Sequence, residues 1–209
     1  AQGNKDGNKQ GDFYYAVPSG HLALCSDNIS DPTIGPNSTT LATENFNTVL
    51  YTGNGGTGHA ISGVGFQPDW TWIKGRSDAD YNYLVDSSRG YTERLFTNLS
   101  DAASTEANTV TQADSDGFTV GSDAGVNRNN STYVAWNWKA NGGTTSSNAT
   151  GTTTSTVQAN TTAGFSIITY TGTGSQGTIA HGLGATPSML WIKNRDATEG
   201  WIIDSQILT

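Results

Sequence analysis

The sequence predicts an all-β chain of tandem antiparallel β-sandwich modules, jelly-roll-like, with the second copy incomplete. Three observations predict it. First, one stretch occurs twice without a gap. Residues 46–76, FNTVLYTGNGGTGHAISGVGFQPDWTWIKGR, recur as residues 165–195, FSIITYTGTGSQGTIAHGLGATPSMLWIKNR, an offset of 119 positions. The identical pairs include Tyr51/Tyr170, Gly55/Gly174, Gly63/Gly182, Gly65/Gly184, Pro68/Pro187, Trp72/Trp191, Lys74/Lys193 and Arg76/Arg195. That period is the size of a small domain and far longer than a solenoid repeat. Second, Gly, Ser, Thr and Asn abound while charged residues make up only 13%, which fits short strands joined by polar turns. Six Trp, eight Tyr and six Phe supply apolar area for thin sandwich cores. Third, residues 133–139 alternate, with Val134, Trp136 and Trp138 on one face and Asn137 and Lys139 on the other. A half-buried antiparallel strand reads this way, with the tryptophans inward.

Residues 1–30 read as the closing strands of an upstream domain: a polar loop, an aromatic strand at 12–17, a Pro18-Ser19-Gly20 turn, and an apolar run from Leu22 to Cys25. Residues 31–45 read as a linker. Residues 46–140 form the first β-sandwich module. In it the strand at 46–51 leads into the turn-rich TGNGGTG, and Gly63 and Gly65 flank Val64 as at a bulge or close backbone approach. Pro68 opens the strand at 70–74, and 81–86 is the next strand. Residues 99–108 suggest one helical turn capped by Ser100, and Asp116-Gly117 turns into a strand at 118–121. Residues 141–160, NGGTTSSNATGTTTSTVQAN, read as a second linker rich in Ser, Thr, Gly and Asn. Residues 161–209 begin the second copy, where 201–203 match 83–85 after a one-residue deletion. That copy has no counterparts of Phe118, Val134, Trp136 and Trp138. Met189, Leu190, Trp191, Ile202 and Ile203 are then expected to be exposed, and the natural chain to run on or a neighbouring subunit to supply cover.

The net charge of −8 argues against a nucleic-acid partner, which demands clustered Lys and Arg. No apolar run approaches the roughly 20 residues of a membrane-spanning helix, so no membrane insertion is expected. Cys25 stands alone and reads as a small packed residue. His21, His59 and His181 share no metal-like spacing, and His181 aligns with Ser62, not with His59. The acidic pairs Asp78/Asp80 and Asp114/Asp116 lack the further ligands of a calcium loop. The glycine-rich turns lack the Gly-Lys-Ser/Thr ending of a phosphate loop. No catalytic residue, metal site or cofactor follows. The ligand-binding candidates are Trp72, Lys74 and Arg76 with their repeats Trp191, Lys193 and Arg195. Sugar stacking and core packing both account for the tryptophans; ligand contact and pairing with a nearby Asp both account for the cations. N-x-S/T sequons, among them Asn28, Asn37, Asn98, Asn130, Asn148 and Asn160, are read as chance in so Asn-rich a chain, with glycosylation the alternative.

DFYYAVPSGHLALCSDNI resembles the closing segment of SPRY-like, concanavalin-type domains of predicted phage proteins, although Asn28-Ile29-Ser30 departs from their usual ending. The repeats resemble an uncharacterised β-module of tailed marine bacteriophages. The shared features are F-x-x-x-x-Y-T-G-x-G, Pro-x-x-x-Trp-Ile-Lys-x-Arg, Asp114-Ser115-Asp116-Gly117-Phe118 and the run from Tyr133 to Trp138. The resemblance implies a virion structural protein, a tail fibre, spike or surface appendage that is not an enzyme. Other virion subunits, in a homo-oligomer, and a host-surface glycan would be its partners. The alternatives are a glycan-binding module, a fragment of a polysaccharide depolymerase, and a secreted adhesin.

Overall fold

Two sheets packed face to face hold the first module, as the pattern of short strands predicts. The computed structural model describes residues 3–23 and 41–205, which fall in two units, Ala1–Thr40 and Leu41–Thr209. The chain is all-β, with antiparallel ladders throughout its named sheets. After a 3-10 turn at Ala42–Glu44 come β1 (Phe46–Thr52), β2 (His59–Ser62), β3 (Trp70–Gly75), β4 (Asn82–Asp86) and β5 (Gly90–Phe96). Then follow β6 (Ser104–Thr105), β7 (Val110–Asp114), β8 (Gly117–Val120), helix α1 (Ala124–Asn127) and β9 (Thr132–Trp138). One sheet runs β1-β9-β3-β4-β5-β6, and the other β2-β8-β7. Between them lies a core of Val49, Ile61, Ile73, Val85, Phe118, Val120, Tyr133 and their neighbours. No helix among the described residues is long and apolar enough to cross a membrane.

The face of β9 that enters this core is the reverse of the one expected. Tyr133, Ala135 and Asn137 are buried, whereas Val134, Trp136 and Trp138 lie half-buried on the outer face. The reason is hydrogen bonding. Asn137 accepts from Thr71 Oγ1 at 3.1 Å and donates to the carbonyls of Ala135 and Asn47 at 3.2 and 3.3 Å, so its burial leaves no polar group stranded. The tryptophans, for their part, are covered on the outer side.

That cover comes from Phe165 and Trp191 of the second copy, and the residues expected to be a linker are themselves structured. Residues 141–160 contribute β10 (Ser146–Asn148) and β11 (Ser155–Asn160), which pair with β12 (Phe165–Tyr170) in a sheet ordered β10-β11-β12. Val157 and Gln158 are buried. Strands β13 (Met189–Ile192) and β14 (Ile202–Ser205) make a separate two-stranded ribbon. The supposed helical turn at 99–108 instead carries β6, paired to β5 through Glu93 and Arg94. The helix lies later, at α1, where Asp123 caps Gly125 N–H at 2.9 Å. The aromatic strand expected at 12–17 is absent among the described residues of the first unit: Phe13 makes a single bridge to Asn4, and Tyr14 and Tyr15 are exposed. Cys25 and most of the linker expected at 31–45 lie outside the described residues.

The repeat is a repeat of backbone. β12, β13 and β14 fall where β1, β3 and β4 recur at an offset of 119. The left-handed glycines coincide: Gly55/Gly174 at φ +70/+73, Gly63/Gly182 at +89/+75, Gly65/Gly184 at +86/+75. Only glycine adopts these angles without strain, which accounts for the identities. In register, Trp72 faces Leu84 and Trp191 faces Ile203. Both pairs differ by 119, so the hairpin carries no deletion, and Ile202 rather than Trp201 stands in the place of Tyr83. No counterparts of β5 to β9 occur after β14 among the described residues.

The two faces of β9 differ in what they bury, and this is measurable. Phe118→Ala, in the sealed core, should cost about 3–5 kcal/mol in denaturant unfolding. Trp136→Ala, on the half-covered face, should cost clearly less than that; an equal loss would return Trp136 to the core.

Candidate functional site

The candidate tryptophans meet. On the outer face of the large sheet Trp72 lies beside Trp136, ring centroids 4.9 Å apart, and Trp191 of the second copy approaches it edge-on at 5.5 Å. Trp70 contacts Phe165 at 6.0 Å and Trp191 at 6.5 Å, and Trp138 lies between Phe46 at 4.7 Å and Phe165 at 6.1 Å. Trp191 also meets Trp201 at 6.3 Å, whose Nε1 donates to Phe96 O at 2.9 Å. The two copies thus pack outer face to outer face, joined by rings at matched positions. Edge-to-face pairs of this kind add about 0.5–1.5 kcal/mol each beyond the area they bury. Each tryptophan of the cluster meets at least one other aromatic ring, while Trp191 stays 36% exposed. Trp72 Nε1 is buried without a protein partner among the described residues, as are both terminal nitrogens of Arg89.

The lysines hold hairpins. Lys74 Nζ donates to Asp80 O at 2.7 Å, across the β3–β4 connection. Lys193 Nζ donates to Ala197 O at 3.2 Å and to Asn194 O, across the β13–β14 connection. The task is the same in both copies: an ammonium ties down a loop carbonyl. The local partner is a main-chain oxygen and not a carboxylate. The arginines present their side chains to solvent and use their backbones, Arg76 N–H donating to Thr132 O at 2.7 Å and Arg195 O accepting from Ala103 N–H at 2.8 Å.

Other charges act as fasteners too. Asp69, fully buried, accepts from Ser87 Oγ at 2.7 Å and from the N–H groups of Ala140, Gly142 and Gly143 at 2.7–2.9 Å. Gln158 of β11, also fully buried, accepts from Asn141 and Gly143 N–H at 3.0 and 2.8 Å and donates to Ser87 and Ser88 hydroxyls at 2.9 and 2.8 Å. The two side chains share Ser87 and Gly143 and so bind β11 to the first module. Sequence reasoning passed over both; the one available signal was Asp69 directly after Pro68 at the strand entrance. Asp86 and Arg89 form a buried pair at 2.6 Å, Arg94 and Asp123 pair at 2.8 Å, and Arg128 reaches Asp80 at 3.0 Å.

Asp116 explains the glycine pair of the first copy. Its carboxylate accepts from Gly65 N–H at 2.6 Å and Gly63 N–H at 3.1 Å. Asp114 accepts from Gln112 at 2.6 Å and Thr119 at 2.7 Å, so the acidic pair is used in turns. His59 lies 3.0 Å from Asn127 Oδ1, and His181 accepts from Leu183 N–H at 3.2 Å. Among the described residues no group of three His, Cys, Asp or Glu is placed to hold a metal ion. Asn160 donates its amide to Asn45 at 2.8 Å and to Lys139 O at 3.3 Å, a structural use of one sequon.

A double-mutant cycle on Trp72→Ala and Trp191→Ala should give a coupling of about 0.5–1.5 kcal/mol in unfolding free energy. Strict additivity would separate the two rings. The Asp116 carboxyl is held below the usual carboxylate range by the N–H groups of Gly65 and then Gly63. A folded value below the unfolded one stabilises above the unfolded value of about 4, and the gain is lost as pH falls through the folded value. Asp116→Asn should therefore flatten the decline of the denaturation midpoint below about pH 4; an unchanged acid limb would remove Asp116 from this role.

No curated protein and no solved structure matches the chain at a significant level. The profile of a domain family of unknown function, DUF7483, matches residues 42–209, the first module together with the second copy. The chain belongs to that family.

Proposed function

We propose that this chain is a structural protein of a bacteriophage particle, a tail fibre, spike or surface appendage. Its modules would space and join subunits and meet the host surface. The phage part rests on the resemblance of the repeats and of residues 12–29 to phage segments. The assembly part rests on one observation. Leu190, Ile192, Ile202 and Tyr170 lie exposed on the side of the second copy that corresponds to the sealed core of the first, with Ile202 64% exposed. Met189 and Ile203, on the opposite side of the same ribbon, are 52% and 58% exposed. Contiguous apolar surface of this kind marks an interaction site, and a two-stranded ribbon is marginal in water without cover. The two lysines at the candidate positions support a non-catalytic reading, since they are engaged in holding loops.

Sedimentation velocity of the whole chain at micromolar concentration tests the assembly part. A dimer or higher oligomer is expected, and Ile202→Lys should shift it toward monomer. A wild-type chain that stays monomeric overturns it.

A further inference from the structure

The sequence holds two Asn-Gly steps, and each runs on into a second glycine: Asn54-Gly55-Gly56 and Asn141-Gly142-Gly143. Such a step is where an unprotected chain deamidates most readily, because glycine has no side chain to shield its nitrogen or restrict its backbone. The glycine nitrogen attacks the asparagine Cγ and closes a succinimide. Ammonia leaves with the proton that the nitrogen gives up. Water then opens the ring to aspartate, or to isoaspartate, in which the main chain runs through the former side chain. In this fold both attacking nitrogens are engaged. Gly55 N–H donates to Asn127 O at 2.8 Å, and Asn54 Oδ1 accepts from Gly56 N–H and Asn127 Nδ2 at 2.9 and 3.1 Å. Gly142 N–H donates at 2.9 Å to the fully buried carboxylate of Asp69. Around it four consecutive N–H groups converge on two buried side chains. Those of Ala140, Gly142 and Gly143 reach Asp69, and those of Asn141 and Gly143 reach Gln158 Oε1. The side chain of Asn141 itself is exposed, its amide donating to Thr144 O at 3.1 Å.

We propose that Asn141 is a latent deamidation site, that Asp69 guards it by holding the attacking nitrogen, and that its conversion releases β11 from the first module. The guard works in two ways. To reach Cγ, Gly142 N must leave Asp69, which strips a donor from a buried carboxylate. The nitrogen must also give up its proton, and the negative charge of Asp69 beside it disfavours the deprotonated form. Water and the leaving amide are not what is blocked, since the Asn141 side chain faces solvent. The consequence follows from where the step sits. Isoaspartate adds a methylene to the main chain between the N–H groups of residues 141 and 142, in the middle of the converging four. They can then no longer all meet Asp69 and Gln158. Gln158 is the residue through which β11 also donates to the Ser87 and Ser88 hydroxyls. The new carboxylate adds like charge next to Asp69 as well.

The test incubates the folded full chain at mildly alkaline pH beside a peptide of residues 138–146, WKANGGTTS. Peptide-mapping mass spectrometry reads aspartate and isoaspartate at Asn141 and Asn54 separately. Asn141 should convert at least about tenfold more slowly in the chain than in the peptide, the effect of one hydrogen bond to a charged group. Asp69→Asn should speed conversion at Asn141 at least about tenfold and leave Asn54 unchanged, since Asn127 holds Asn54. Equal rates in chain and peptide overturn the guard, and so does an Asp69→Asn chain in which Asn141 converts no faster. Where that variant unfolds, both asparagines speed up together, and the wild-type chain decides. There the slowing at Asn141 should match the hydrogen-exchange protection of the Gly142 amide, because one opening frees that nitrogen for both reactions; a mismatch beyond about tenfold overturns the guard. Chain converted to isoaspartate at Asn141 and separated by ion exchange should exchange the amides of 155–160 at least about tenfold faster than unconverted chain. Unchanged exchange there overturns the release of β11.

Discussion

Everything in the described part of the larger unit answers to one constraint: the sheet that holds β9 between β1 and β3 is apolar on both faces. A sheet with one polar face can leave it in water. This one cannot, because Trp70, Trp72, Trp136 and Trp138 line the side turned away from the sandwich core. The β2-β8-β7 sheet covers one side, and Phe165, Trp191 and Trp201 of the second copy lie over the other. The second copy is therefore part of the first copy's fold as well as its duplicate. Each aromatic ring has a double function, since the same face that repeats in sequence is the face through which the repeats meet.

Polar side chains then fix the loops that the two layers leave open. Asp69 and Gln158 illustrate the physics. A buried carboxylate is costly unless its oxygens are saturated, and Asp69 has four donors, three of them main-chain N–H groups of a glycine-containing turn. Gln158 supplies both an acceptor and a donor to the same turn and to Ser87 and Ser88, so β11 cannot leave without exposing unmatched groups on both sides. Lys74, Lys193 and Asp116 repeat the theme at hairpins. Residues that in a sequence suggest ligand chemistry are here the means by which a chain poor in large apolar residues holds long turns in place.

The repeat, the glycines and most strands of the first module were legible because each leaves a local mark: identity at a constant offset, a backbone angle that excludes side chains, an alternation of period two. Three features were not. The inward face of β9 was misjudged because alternation shows that two faces differ without showing which is inside; size suggested the tryptophans, and the three hydrogen bonds of Asn137 decided otherwise. Strands β10 and β11 were hidden because Ser and Thr carry little hydrophobic contrast, and the burial of β11 depends on partners far along the chain, such as Ser87. The matched tryptophans were weighed as core or sugar platform, and the contact between the two copies was missed, because a repeat says that two surfaces are alike and nothing about whether they touch.

A repeated fold whose copies pack through like faces also divides the roles of its opposite faces. In the first copy the Thr71–Asn137 pair is a polar key inside an apolar layer. A one-residue slip of β9 would turn Tyr133, Ala135 and Asn137 outward together and part Asn137 from Thr71, so the key sets the register as well as stabilising it. At the corresponding position of the second copy Leu190 replaces the threonine, and the key is gone. The exchange of one hydroxyl for an isobutyl group between two otherwise matched strands thus goes with a change of surroundings: Thr71 is buried in the first copy, and Leu190 is exposed in the second.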